Sequence, residues 1–202
     1  MTTASTPQSE PATIERREFV AALVKACPDA LVVAGLGSST YDLFAAGDRP
    51  ENFYLWGAMG GAAGIGLGLA LAQPEKSIVV LTGDGEQLMG LGTLATIGAQ
   101  RPKNLTIVVL DNGHFGETGM QHSHTSLGTD LVAVSKACSI ANAHKVLSNE
   151  GIETIRAAVS KPEQTSLFQV MVKADDVPRA LPIRDGVHIK NRFRATLGLE
   201  PI

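Results

Sequence analysis

SIVVLTGDGEQLMGLGTLATIGAQRPKNLTIVVLDNG, residues 77–113, holds two β-branched apolar runs, Ser77 to Leu81 and Leu105 to Leu110, with a helix expected over residues 87–99 between them. Each run is continuously apolar rather than alternating, the pattern of a strand covered on both faces. A strand, helix, strand succession of this length makes the two strands parallel neighbours. It therefore sets the strand ends Gly83-Asp84-Gly85 and Asp111-Asn112-Gly113 side by side.

The same alternation extends in both directions. Ile14, Phe19, Ala22, Leu23 and Ala26 recur at helical spacing until Pro28-Asp29 breaks the helix. Leu31 to Ala34 reads as a strand ending in Gly35-Leu36-Gly37-Ser38-Ser39-Thr40, where Ser39 or Thr40 caps a helix through about Ala46. Phe53 to Trp56 reads as a short strand, and the Ala, Gly and Leu residues of 58–72 as a helix pressed closely on a sheet. Helices over 130–138 and 150–160 and strands over 143–147 and Leu167 to Val172 complete the pattern. The expectation is an α/β fold: one doubly wound domain, residues 13–175, with a mostly parallel six-stranded sheet. Ligands in such sheets sit beyond the carboxyl ends of the strands. Residues 1–12, rich in Ser, Thr and Pro, are expected to be a mobile tail. Residues 176–202, locally basic through Arg184, Lys190, Arg192 and Arg194, read as a tail packing on the domain surface or on a partner.

Composition narrows the function. A formal charge of −3 with scattered acids and bases gives no electrostatic footprint for nucleic acid. No apolar run reaches the length of a spanning helix without glycine or polar interruption, and no secretory leader pattern is present, so a cytoplasmic protein without membrane attachment is expected. Cys27 and Cys138, far apart in apolar stretches, suit buried thiols better than a disulfide or metal site.

Gly83-Asp84-Gly85 alone is a weak signal, because such a turn at a strand end needs no function. Asn112 strengthens it, standing at the next strand end with 26 residues (86–111) between it and Gly85. An Asp and an Asn there supply two hard oxygen ligands, and the turn after Asn112 offers a backbone carbonyl. A divalent cation such as magnesium takes about six oxygens and leaves places for phosphate and water. Glycines 83, 85, 113 and 116 let backbone N–H groups approach an anion, and the helix after Gly85 turns its positive end toward it. A metal would then neutralise phosphates without a lysine.

Gly83-Asp84-Gly85, this spacer and Asn112 resemble the magnesium and diphosphate motif of the thiamine-diphosphate enzymes. Gly57-Ala58-Met59-Gly60 resembles a second segment of that family, in which the glycine carbonyl (Gly57) accepts from the cofactor's 4′-amino group and an apolar side chain (Met59) props its bent shape. The resemblance implies magnesium held by Asp84, Asn112 and the carbonyl of His114. It implies diphosphate held by Gly85, Glu86 and Gln87, further cofactor contacts from Gly83, Phe115 and Gly116, and Gly37 and Ser38 closing over the diphosphate. Glu86 departs from the small or hydroxyl residue of many relatives, so only its backbone N–H is assigned a contact. The family also needs a glutamate from a pyrimidine-binding domain, for which this chain has no room. The resemblance therefore implies a separate α subunit supplying that glutamate, in a hetero-oligomer of α2β2 type or larger.

Within the family, Asp48 to Tyr54, Gly66 to Ala70 and Leu110 to Gly113 look most like the β subunits of sulfopyruvate decarboxylase and its relative phosphonopyruvate decarboxylase. That implies removal of carbon dioxide from a small anionic 2-oxoacid, leaving an aldehyde. The loop Gly116 to Thr125 departs from the family pattern at His122-Ser123-His124; either histidine can protonate an intermediate or bind an anion, or both are ordinary loop residues. Three other readings stand beside this one. They are carboligation or oxidative transfer with the same cofactor, a non-catalytic subunit, and dinucleotide binding through Gly35-Leu36-Gly37, which lacks the third glycine of that fingerprint at Thr40.

Overall fold

The computed structural model describes residues 12–202; the stretch expected to be a mobile tail lies, but for Ala12, outside the described residues. The chain runs through helix α1 (Arg16–Ala26), strand β1 (Leu31–Ala34), helix α2 (Ser38–Ala45), strand β2 (Asn52–Tyr54), helix α3 (Ala62–Ala72) and strand β3 (Ile78–Gly83). Helices α4 (Asp84–Met89) and α5 (Thr93–Gln100) lead to β4 (Leu105–Asp111), then to a small hairpin of β5 (His114–Phe115) and β6 (Gln121–His122). Helix α6 (Leu131–Ala137), β7 (Asn142–Val146), α7 (Gly151–Ser160), β8 (Ser166–Met171) and α8 (Gly186–Thr196) follow.

Six strands form one sheet in the order β2-β1-β3-β4-β8-β7, every neighbouring pair parallel. Successive side chains on each strand serve opposite faces, which is why the strands read as unbroken apolar runs. Val32, Ala34, Val79, Leu81, Val108 and Leu110 meet Phe19, Leu23, Leu43 and Ile155 on one face. Leu31, Val33, Ile78, Val80, Ile107 and Val109 meet Ala63, Leu67, Leu94, Ile97 and Leu131 on the other. Helix α3 lies so near the sheet that a Cβ on Gly66 would stand 2.2 Å from Val80 Cγ2.

The path places β2 on one side of β1 and β3 on the other. The loops leaving β1 and β3 therefore diverge and open a crevice at the carboxyl ends, the position where doubly wound sheets bind ligands.

Five local readings change. Helix α2 begins at Ser38 with Gly37 at the cap position and no side-chain cap, so Ser39 and Thr40 lie inside its first turn, where the Thr40 hydroxyl donates to the Gly35 carbonyl at 2.7 Å. Residues 58–61 precede α3 rather than beginning it, because Gly57, Ala58 and Gly60 adopt φ of 91°, 49° and 92°, which no helix accommodates. The second strand is Asn52–Tyr54, and Leu55-Trp56 already leaves the sheet. The helix expected over 87–99 is two helices interrupted at Gly90 to Gly92, and the first begins at Asp84 itself. The C-terminal segment contains α8, which Asp185 caps by accepting from Val187 N–H at 2.9 Å and His188 N–H at 3.0 Å. Arg192 pins that helix to Asp48 at 2.6 Å and to the Asn52 carbonyl at 3.1 Å.

Candidate active site

A cleft of about 690 Å³ opens over the carboxyl ends of the strands. Its wall contains Ser38, Met59, Gly83, Asp84, Gly85, Glu86, Asn112, His114, Phe115 and Gly116, ten of the positions singled out from the sequence. Register explains the gathering: Leu81 pairs with Val108 and Gly83 with Leu110, so the turns after β3 and β4 start level with each other.

Asp84 is 3 % exposed and opens α4. Its Oδ2 accepts from Ser123 Oγ, and from Thr125 Oγ1 at 3.4 Å. Thr125 Oγ1 also donates to Asp111 Oδ1 at 2.9 Å, while Gly113 N–H and Gln169 Nε2 reach the same carboxylate at 2.8 and 2.6 Å. Burial, reinforced by the negative charge of Asp111, pushes the Asp84 carboxyl up to about 6. A carboxylate made costly in this way is relieved by a cation, and among the described residues the wall offers no free arginine or lysine. Its one arginine, Arg16, is buried and paired with Asp42, which Arg17 also reaches at 3.0 Å.

Asn112 Oδ1 accepts from His114 N–H at 2.9 Å, and its carbonyl faces His114 Nδ1 at 2.7 Å. This turn fixes the backbone after β4 and holds the Asn112 side-chain oxygen at the cleft. Asp84 and Asn112 bring a carboxylate and an amide oxygen to one wall, hard donors of the kind that could hold magnesium together with a peptide carbonyl. Among the described residues no group of three or more His, Cys, Asp or Glu suits a metal.

Met59 is 40 % exposed, with its Cε 3.7 Å from where a Cβ on Gly85 would lie, and Phe115 covers the same glycine. Glu86 is buried at 3 % exposure, its Oε2 accepting from Thr82 Oγ1 at 2.9 Å while Oε1 has no partner. Burial raises its pKa against the opposing effects of Thr82 and of the N–H groups of Ala62, Gly60 and Leu36, none of which closes a hydrogen bond to Oε1.

Five expected residues lie off the wall. Gly37 and Gly57 stand in adjacent loops with φ of 80° and 91°. Gln87 is buried on α4 with both amide atoms unpartnered. His122 and His124 are exposed; the His122 ring lies 4.7 Å from that of His114 and the His124 ring 6.1 Å from that of Phe115. The histidines thus meet the wall through the hairpin but do not line it.

Residues the sequence reading did not single out also take part. Ser123, Thr125, Asp111 and Gln169 form the network around Asp84, and their separation along the chain left no local signal. Glu117 lines the cleft and pairs with Arg179 at 2.9 Å, tying the C-terminal segment to the rim. The same segment accepts the Trp56 Nε1–H at the Ile183 carbonyl, 2.9 Å away, and lays Arg184 over that ring.

Residues 35–177 match the family profile described as thiamine pyrophosphate enzyme, C-terminal TPP binding domain. The chain belongs to the thiamine pyrophosphate enzymes. Among relatives in this family, the sulfopyruvate decarboxylase subunit beta of Methanococcus maripaludis is 42 % identical over 127 residues, 63 % of this chain and 68 % of that one. The sulfopyruvate decarboxylase of Methanosarcina acetivorans is 36 % identical over 92 % of this chain but 48 % of its own length. The phosphonopyruvate decarboxylase of Streptomyces viridochromogenes is 37 % identical over 86 % of this chain and 43 % of its own. The chain thus spans less than half the length of the latter two relatives. A solved thiamine-diphosphate-dependent 4-hydroxybenzoylformate decarboxylase from Rhodococcus jostii shares the fold with a TM-score of 0.69 at 19 % identity, over 88 % of this chain and 36 % of that chain. The family places the cofactor-binding domain on the matched residues, and the cleft fits it. The oxygens of Asp84 and Asn112 are hard donors, Gly83, Gly85 and Gly116 on the wall carry no side chain to bar an anion from the backbone, and both buried amide atoms of Gln87 stand without partners.

Proposed function

We propose that this chain is the diphosphate-binding β subunit of a thiamine-diphosphate- and magnesium-dependent decarboxylase, converting a small anionic 2-oxoacid to an aldehyde and carbon dioxide. The observation that carries the proposal is Asp84, a buried carboxylate with its pKa raised to about 6, on the same cleft wall as Asn112 and with no free arginine or lysine among the described residues of that wall. Asp84, Asn112 and the His114 carbonyl would hold magnesium. The N–H groups of Gly83 to Gln87 and the Gly37-Ser38 turn would hold the diphosphate. Met59 and Phe115 would brace the rings and exclude water. Bound cofactor supplies a nucleophilic carbon and an electron sink for the departing carboxylate. His122, on the hairpin, and His124, just after it, are both exposed, and either would deliver a proton or receive the substrate's anionic group.

Relatives named as β subunits, and longer relatives in which this region is under half the chain, support a partner carrying the pyrimidine-binding half. The molecular surface supports it too. Residues 55–74 and 87–100 carry no charge, and they expose Ile65, Leu71 and Met89, with Met59 at the rim of the cleft. The test is co-expression with a pyrimidine-binding chain, followed by measurement of aldehyde and carbon dioxide from sulfopyruvate, phosphonopyruvate and pyruvate. Aldehyde release that needs both chains, thiamine diphosphate and magnesium supports the proposal. Acetoin-type or acyl-transfer products without free aldehyde overturn it in favour of carboligation or oxidative transfer.

A further inference from the structure

We propose that Arg16, on α1, is a diphosphate-binding residue of the cleft: Asp42 holds its Nε side, and its two terminal amino groups are left to grip phosphate oxygens. The inference rests on the cleft being the diphosphate site. It adds a contact from upstream of residues 35–177, the stretch that the family profile matches.

Local structure brings Arg16 to the cleft. Ile14 forms a parallel bridge with Val172, one residue past β8, and its carbonyl accepts from Lys173 N–H at 3.0 Å, so α1 starts level with the carboxyl ends of the strands. The Arg16 side chain lines the cleft wall together with Ser38 and Ser39 of the first turn of α2. Its partner Asp42 stands on the same helix, four residues after Ser38 and so one turn along on the same face. Helix α2 makes its first backbone bond from Tyr41 N–H to the Gly37 carbonyl, and the N–H groups of Ser38, Ser39 and Thr40 before it have no helical partner. Arginine and helix start therefore share the part of the wall assigned to the diphosphate.

Charge gives this part of the wall its preference. Asp42 is fully buried and meets two guanidinium groups, Arg16 Nε at Oδ2 and Arg17 Nε at Oδ1, the latter 3.0 Å away. Two positive charges against one negative leave an excess of one. Arg17 is partly exposed and donates from Nη2 to the Pro178 carbonyl at 2.7 Å. Arg16 is only 8 % exposed, and its Nη1 and Nη2 donate to no described residue. A buried guanidinium stays ionised, so these unused donors and the excess charge need an anion from outside the chain. Diphosphate suits them, because the planar guanidinium takes two phosphate oxygens at once. Arg16 makes no ion pair with Asp84, so the metal would answer that carboxylate while the arginine answers the phosphates.

The experiment is calorimetric titration of the full chain with thiamine diphosphate and, separately, with inorganic diphosphate at saturating magnesium. It compares wild type, Arg16→Lys, Arg16→Gln and the double variant Arg16→Gln/Asp42→Asn, which removes the opposing charges together; far-ultraviolet circular dichroism reports the fold. Folded Arg16→Gln and the double variant are expected to bind both ligands about tenfold to a hundredfold more weakly, as the loss of a charged hydrogen-bonded contact implies. Arg16→Lys keeps the charge without the fork and is expected to fall between them and wild type. In the enzyme assembled with its partner, half-saturation by thiamine diphosphate should rise by the same factor with the KM for the 2-oxoacid unchanged. Wild-type affinity in a folded Arg16→Gln or double variant overturns the inference and leaves the proposed function standing. So does a raised KM for the 2-oxoacid with cofactor affinity unchanged, which would move Arg16 to the substrate. No binding of either ligand by wild type overturns the diphosphate reading of the cleft, and this inference with it. Loss of the fold in every variant also overturns the inference, because the ion pair would then be a structural requirement.

Discussion

Replacing Asp84 by Asn should stabilise the chain when metal is absent and abolish its response to magnesium. The carboxyl is 3 % exposed and its pKa rises from the ordinary 3.8 to about 6. A rise of that size corresponds to about 3 kcal/mol of disfavour for the ionised form in the folded chain. The sign follows from the direction of the rise. Below about pH 4 the group is protonated in both states and adds nothing; between about 4 and 6 the unfolded chain ionises first, so stability falls as pH rises; above about 6 the full cost is present. Asn is neutral, nearly the same size and still accepts from Ser123. At pH 7.5 with a chelator, Asp84→Asn should therefore melt higher by roughly 5–10 °C, the change that 2–3 kcal/mol produces in a domain of this size. The gain should vanish near pH 4. Saturating magnesium with thiamine diphosphate should raise the melting temperature of wild type, as a ligand at a hundred times its Kd contributes about 2.7 kcal/mol, and leave the variant unmoved. Differential scanning fluorimetry across pH, with and without chelator, measures all three effects. A variant no more stable than wild type at pH 7.5, or a difference independent of pH, refutes the reasoning.

Gly66→Val should cost about 3 kcal/mol or more, because its Cβ would press on Val80 Cγ2 at 2.2 Å and lift α3 from the sheet; an unchanged denaturant midpoint contradicts the close approach. Arg192→Ala removes both ties of α8 to the β2 edge and should cost about 1 kcal/mol, read as a lower denaturant midpoint. Because Trp56 is the sole tryptophan and its indole N–H is held by the Ile183 carbonyl, cutting the chain after Lys173 should red-shift its emission, and an unshifted spectrum would show that the segment does not cover it. His122→Ala and His124→Ala should leave folding and cofactor binding unaltered, since both side chains are exposed. In the assembled enzyme, turnover should fall about 100-fold for the histidine that moves a proton, and full turnover in both variants refutes that role.

The doubly wound sheet was legible in the sequence because burial on both faces turns each central strand into an unbroken apolar run, as in Leu105 to Leu110. The cofactor motif was legible because its parts sit at strand ends, where chain order fixes their neighbours: Asp84 and Asn112 close adjacent strands. Backbone conformation was less legible. The positive φ of Ala58 and the break at Gly90 to Gly92 come from how α3, α4 and α5 pack together, and a run of Ala, Gly and Leu carries no record of that. Tertiary structure alone decided what surrounds Asp84. Ser123, Thr125 and Gln169 come from a hairpin loop and a distant strand, and only folding turns them toward the neighbouring carboxylates of Asp84 and Asp111. It also decided the fate of Glu86, whose chemistry depends on a void at Gly35, 51 residues earlier in the chain. The sequence by itself determined that the strands before Asp84 and Asn112 pair, and so where the oxygens of these two residues stand, since those follow from burial and chain order. The charges that oppose or satisfy those oxygens depend on distances between loops, and those were set only when the sheet closed.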